Sequence, residues 1–352
     1  MISTDQKQQF AEYGYLTVQG LLDISEDIDR FRNAYVGYLD ALAEIVLGEA
    51  SPDLRAAYLE GSFAERFATL LGSCGGRVLQ HIDPLLSVFA PEYQRWKELP
   101  SAQRPELFQL MRNERLLDAL EFFLGQEISV SPIYHFNLKL TEGQLKQAKD
   151  RAAAAAGGWN ARRWDFHVGT TNWHTDAAYG LPDSHFSRII NAWIPITSAT
   201  LETGCLLVVP GSHRMRPKRG TIAKRLTEAA VPLVAAPGDV VFLDNNILHA
   251  SLPNRSADDI RWAFSFRYLP TGEPSGRPFL PEFVARSRLA PQRELRDPQL
   301  WSDMWRAALD FLSMYPIPHH AENLGVTEAE AITAHWRSAT PNYSDWLRLA
   351  EK

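Results

Sequence analysis

Apolar residues recur every three or four positions through the first third of the chain and alternate with polar ones through the middle. The sequence therefore divides into a helical part and a sheet part. Ile28, Phe31, Tyr35, Leu39 and Leu42 fall on one side of a helix expected over Asp27–Leu47, and Leu107, Leu110, Leu117, Leu120 and Leu124 on one side of another over Glu106–Leu124. A short extended piece, Tyr15–Val18, interrupts the start. From about residue 128 the period falls to two, and strands are predicted at Ile128–Leu140, Arg188–Ile196, Cys205–Val209, Asp239–Leu243 and Arg261–Leu269. Pro210-Gly211-Ser212 and Pro237-Gly238-Asp239 supply turns between them. After Pro281 the pattern is expected to turn helical again, with Asp297 as N-cap, Pro298 behind it and a capping box at Thr327–Glu330. Many short strands with Gly and Pro turns predict a mainly β core with helical additions. The expected fold is a double-stranded β-helix, a cupin-like jelly roll, with N-terminal, insert and C-terminal helices. One domain is expected over 1–352, with a mostly helical part at 1–127, the jelly-roll core at 128–280 and a C-terminal helical part at 281–352.

An insert separates the first strands from the segment around His174. Gln144–Ala156 favours helix, Gly157-Gly158 would end it, and Trp159, Trp164 and Phe166 follow. Residues 143–170 read either as a lid over a pocket or as a surface helix without a role.

Composition narrows the classes of function. With 352 residues, 45% of them hydrophobic, the chain can bury a large core and is neither disordered nor fibrous. The formal charge of -6 comes without a basic block, so nucleic acid is not an expected partner. No apolar run approaches membrane-spanning length and no signal-like segment follows Met1, so a soluble cytoplasmic protein without a membrane partner is expected. Cys74 and Cys205 are too few for a disulfide framework or a thiolate metal site, and Cys205 reads as a small core residue.

Candidate chemistry begins at His174-Thr175-Asp176. Residues two apart on an extended strand share a face, so His174 and Asp176 can offer an imidazole and a carboxylate to one ion. His249, in the apolar stretch Asn246–Ser251, can join them if the sheet curls. Two imidazoles and one carboxylate on one side of a metal leave its other side open, the arrangement of non-haem Fe(II) oxygenases. Of the other histidines, His167 lacks a carboxylate two residues on, His213 belongs to a Pro-Gly-Ser-His turn that reads as structural, and His319-His320 reads as a solvated loop.

The ordered set is more specific than the pair. Trp173-His174-Thr175-Asp176, Trp193-Ile194-Pro195-Ile196, Gly204 to His213, Pro237 to Phe242, His249-Ala250-Ser251 and Arg261 to Tyr268 follow in that order. At these motifs the chain resembles the phytanoyl-CoA dioxygenase family of Fe(II)- and 2-oxoglutarate-dependent oxygenases. The resemblance covers about 128–269, and Phe10–Leu22 is similar to the opening of that family.

The resemblance implies that His174, Asp176 and His249 hold Fe(II), and that Arg261 pairs with the distal carboxylate of 2-oxoglutarate, with O2 as the other co-substrate. A guanidinium forks onto a carboxylate and stays charged, which suits that role. Ser251 and Ser265 are candidate hydroxyl partners of the same carboxylate, and Trp193 a candidate wall of its pocket. Arg261 follows His249 by twelve residues, one more than the resemblance implies, so Arg267 on the same strand face is the fallback anchor. Asn137, Lys139, Trp173 and Tyr179 are candidates for contact with substrate or co-substrate; a rim position is the alternative for the strand pair Asn137 and Lys139. The implied reaction is hydroxylation of a small, specialised metabolite coupled to decarboxylation of 2-oxoglutarate to succinate. Desaturation, cyclisation or epoxidation would use the same cofactors. A zinc hydrolase or isomerase barrel and a non-enzymatic small-molecule binder are the readings from other classes.

Overall fold

The computed structural model describes residues 2–47, 52–73, 78–79, 105–154, 165, 168–180, 182–215, 224–278 and 280–314. Nine strands form two antiparallel sheets among these residues. They are β1 (Tyr15–Val18), β2 (Glu127–Lys139), β3 (Ile190–Pro195), β4 (Leu206–Val208), β5 (Val231–Leu233), β6 (Val240–Asp244), β7 (His249–Ser251), β8 (Arg261–Pro270) and β9 (Phe283–Ser287). The larger sheet runs β1-β6-β3-β8-β2-β9 and the smaller β5-β4-β7, giving the jelly-roll architecture with helical additions.

Alternation in β8 assigns the two faces of the larger sheet. Trp262, Phe264, Phe266 and Tyr268 point outward into the main core, with Phe136 and Leu138 of β2, Ile194 of β3 and Phe242 of β6. The amphipathic helix Arg30–Val46 covers them: Phe31 meets Phe264 edge-on at 4.9 Å, and Tyr35 stacks on Phe136 at 5.3 Å. Such aromatic pairs add about 0.5–1.5 kcal/mol each beyond the area they bury. The other face is smaller and more polar. Trp193, Val241, Leu243 and Ala263 there pack against Cys205, Leu206, Val208 and Leu233 of the second sheet. The same face carries Lys139, Asn137, Arg261, Ser265, Arg267 and Asn191, so the space between the sheets is lined by groups that need partners.

Three expectations are corrected. The helix expected over Glu106–Leu124 is two, Pro105–Met111 and Glu114–Leu124, because the Asn113 side chain caps the second by accepting from Leu116 N at 3.2 Å. The region after Pro281 is not helical at once: Phe283–Ser287 pairs antiparallel with β2 as an edge strand, and the helix begins at Pro298. Asp297 caps that helix through Gln299 N at 2.8 Å. β5 has no counterpart in the predicted set.

The insert helix spans Glu142–Ala154. It opens with a reciprocal bond pair between Thr141 and Gln144 and packs on the helix Phe63–Ser73, with Ala148 and Ala152 buried. Gly157, Gly158, Trp159, Trp164, Phe166, His167, His319, His320 and the Thr327–Glu330 box lie outside the described residues. Among the described residues, no helix is long and apolar enough to cross a membrane.

Candidate metal centre

Two histidines are fixed by backbone bonds. His174 forms a single antiparallel bridge to His249 on β7, each backbone N donating to the other's O at 3.0 Å. That bridge sets the rings side by side, with centroids 4.2 Å apart. His174 Nδ1 lies 2.8 Å from Asn172 O and His249 Nδ1 3.1 Å from Ile247 O. A carbonyl only accepts, so each Nδ1 carries the proton and each Nε2 keeps a lone pair for the site. Burial, then the adjacent His249, push His174 down to about 3, so its ring is neutral at ordinary pH. Neutral imidazole is the form that binds a metal.

Asp176 comes to the site differently from the strand geometry expected. Only His174 bridges; Asp176 starts a short 3-10 turn, Asp176–Tyr179, held where Ala177 N donates to Asn245 O at 2.9 Å. The carboxylate still converges, with Oδ1 3.9 Å from His174 Nε2. One ligand atom from each of His174, Asp176 and His249 lies within 4.8 Å of the others, close enough for all three to hold one ion. Burial alone would raise the Asp176 carboxyl, but the Arg267 guanidinium 2.6 Å away and the two imidazoles hold it well below the usual carboxylate range.

A second cluster lies on the same face of the sheet. Arg261 and Lys139 are direct register partners across β8 and β2, both buried, and neither meets an acidic side chain among the described residues. Among the described residues Arg261 makes one long bond, to Asn137 O at 3.4 Å, and its Nε has no partner; its guanidinium stands 5.6 Å from the Trp193 ring centroid. Burial lowers Arg261 to about 10, which leaves it charged. Lys139 donates to Ser251 Oγ at 2.6 Å and to Leu252 O. Burial, then the Arg261 charge, push it down to about 6. Asn137 donates to Ser265 Oγ at 2.9 Å.

The structure thus brings together His174, Asp176 and His249, and beside them Arg261, Lys139, Ser251, Asn137, Ser265 and Trp193. Arg267 does not join the second group: it is ion-paired to Asp176, so the fallback role expected for it gives way to contact with the metal segment. Trp173 is half-buried next to His174, and the side chain of Tyr179 lies outside the described residues. His213 packs its ring against Gly14, where a Cβ would lie 2.4 Å from Nδ1, and takes no part. Sequence reasoning missed Asn191, which donates to Asp176 Oδ2 at 2.7 Å, and left Cys205 as core, where it lies buried with the charges of Arg261 and Lys139 close enough to act on it. No local signal marks Asn191, because its register opposite Arg267 exists only in the folded sheet.

The donor set suits a non-haem iron ion, and an orphaned buried guanidinium suits a carboxylate. The model of the phytanoyl-CoA dioxygenase family matches residues 99–263, the stretch holding all three candidate ligands and Arg261. That match and the three-ligand group are those of a non-haem iron, 2-oxoglutarate-dependent oxygenase. Among solved structures the fold is similar to iron-bound EctD from S. alaskensis (19% identity, 77% of this chain and 78% of that one, TM-score 0.48). It is also similar to the apo non-haem monooxygenase ThoJ (17%, 94% and 98%, 0.48). A third is SnoK, the α-ketoglutarate-dependent carbocyclase of nogalamycin biosynthesis (18%, 84% and 94%, 0.44).

Proposed function

We propose that this enzyme hydroxylates an unactivated carbon of a small, specialised metabolite, with His174, Asp176 and His249 holding Fe(II) and Arg261 anchoring 2-oxoglutarate. The observation that carries the reading is the pairing of a three-ligand group with a buried cation that has no counter-ion among the described residues, on the same sheet face. Bound iron would supply the oxidant, with O2, 2-oxoglutarate and the substrate C–H giving succinate, carbon dioxide and the alcohol.

The protein's own work is binding and orientation. Each Nδ1–H held on a carbonyl aims the opposite nitrogen inward, and the Asp176 charge would offset part of that of a bound ion. Arg261 would take the distal carboxylate through its unused Nε–H and Nη–H groups, with Lys139 and Ser251 as the next donors. The Trp193 ring, 5.6 Å from the Arg261 guanidinium, would wall that end of the pocket. A zinc hydrolase on this barrel would have no use for two buried basic side chains that meet no acidic side chain among the described residues. A binder without chemistry would not need three converging metal ligands.

A metabolite smaller than an acyl-CoA fits a chain with no Gly-rich phosphate cradle and no basic cluster. The direct test is comparison of metabolites in cells with and without the gene, followed by assay of candidates with Fe(II) and 2-oxoglutarate. A product richer by one oxygen supports hydroxylation. A product that has lost two hydrogens or closed a ring would replace it with desaturation or cyclisation.

A further inference from the structure

Asp176 is the one candidate ligand that backbone pairing does not fix, since it opens a turn rather than sitting in a strand. Two side chains do that work. Asn191 on β3 and Arg267 on β8 are direct register partners. Asn191 Nδ2 donates to Asp176 Oδ2 at 2.7 Å, and Arg267 Nη2 donates to Oδ1 at 2.6 Å. All three residues are buried. A carboxylate has about four lone-pair positions, so one hydrogen bond on each oxygen leaves capacity for a metal.

Resting on the proposed ligand set, we infer that Asn191 and Arg267 form a clasp that positions Asp176 as a one-oxygen metal ligand. With Oδ2 engaged by the amide and Oδ1 facing His174 Nε2 at 3.9 Å, the carboxylate cannot rotate to chelate the ion with both oxygens. Held through one oxygen, Asp176 would leave room on an ion there for co-substrate and O2. The clasp also ties a turn to the rigid centre of the sheet, so the ligand geometry is set before metal arrives. Arg267 is committed here by a charge-assisted bond, which divides the two arginines of β8: Arg261 for the co-substrate, Arg267 for the metal segment. These are positioning residues, acting through Asp176.

Co(II) serves as the probe, because its visible spectrum reports ligand number and geometry independently of turnover. Titration of the full chain with Co(II) should show Arg267→Met binding at least about tenfold more weakly, with a changed spectrum, while Arg267→Lys recovers part of the affinity. Asn191→Ala, which frees Oδ2 without removing a charge, should bind more tightly than Arg267→Met but with a spectrum shifted toward higher coordination. Near-UV circular dichroism identifies any variant that fails to fold, and Asn191→Ala keeps the test open in that case. Asp176→Ala separates the two readings. If it binds Co(II) like the wild type, the ligand assignment is wrong. If it loses Co(II) while Asn191→Ala and a folded Arg267→Met keep wild-type affinity and spectrum, the ligand set stands and the clasp is overturned.

Discussion

Lys139 and Arg261 face each other across β2 and β8 as two buried basic side chains with no acidic side chain against either among the described residues. Buried charge without a partner is costly, and a folded protein keeps it where a ligand supplies the opposite charge. The co-substrate dicarboxylate is that ligand in the proposed function, and the pair is where its binding can be read.

Arg261→Gln should raise the dissociation constant of 2-oxoglutarate by at least about tenfold, since losing one side of a buried charged pair commonly costs about 2–5 kcal/mol. Metal affinity should stay at the wild-type value, because Arg261 touches none of the three candidate ligands. Calorimetric titration with Mn(II) in place of iron measures both. An unchanged co-substrate constant would remove Arg261 from the pocket.

Binding of 2-oxoglutarate should also take up a proton. Burial and Arg261 place Lys139 at about 6, so most of the amine is neutral at pH 7 before the dicarboxylate arrives and favours the ammonium form. Below that value the dissociation constant should be flat; above it the constant should rise by up to about tenfold per pH unit. The same shift acts on stability: the folded value lies below the ordinary 10.5, the unfolded chain binds more protons, and this group's contribution falls as pH drops from 10.5 toward 6. Titrations in buffers of different ionisation heat count the proton. Lys139→Met should lose both dependences, and a wild type that binds without proton uptake would contradict this account.

Gly204 should tolerate no side chain. Its φ is +91°, and a Cβ there would lie 2.5 Å from Leu252 O and 2.9 Å from Lys139 Cδ. Gly204→Ala should lose about 1–3 kcal/mol from backbone strain alone. Because the same carbonyl accepts from Lys139, the variant should weaken 2-oxoglutarate binding too. A thermal midpoint equal to that of the wild type would show that the turn relaxes freely.

Much of this was legible in the sequence, for a physical reason. A period of two in Arg261–Leu269 and Ile128–Leu140 predicts strands with one aromatic face and one polar face, and the polar face carries Arg261, Ser265, Asn137 and Lys139. What escaped depends on contacts between distant segments. β9 is five residues buried throughout, which alternation cannot flag. Arg261 and Arg267 share a strand face, and nothing local says which meets a co-substrate and which meets Asp176. Asn191 reads as an unremarkable strand polar residue until the turn at Asp176 is folded over it. Even the metal segment was read through the wrong local geometry, as a strand across 174–176, and the ligand atoms converge through a bridge followed by a turn.

The central claim is that His174, Asp176 and His249 hold the iron that couples O2 to 2-oxoglutarate. Its most direct measurement is succinate formed against O2 consumed, with Fe(II) and 2-oxoglutarate, in the wild type and in Asp176→Ala and His249→Ala. The wild type should form succinate in step with O2, slowly without substrate, and both variants should fall to background while remaining folded. Succinate formation at the wild-type rate in either variant would contradict it.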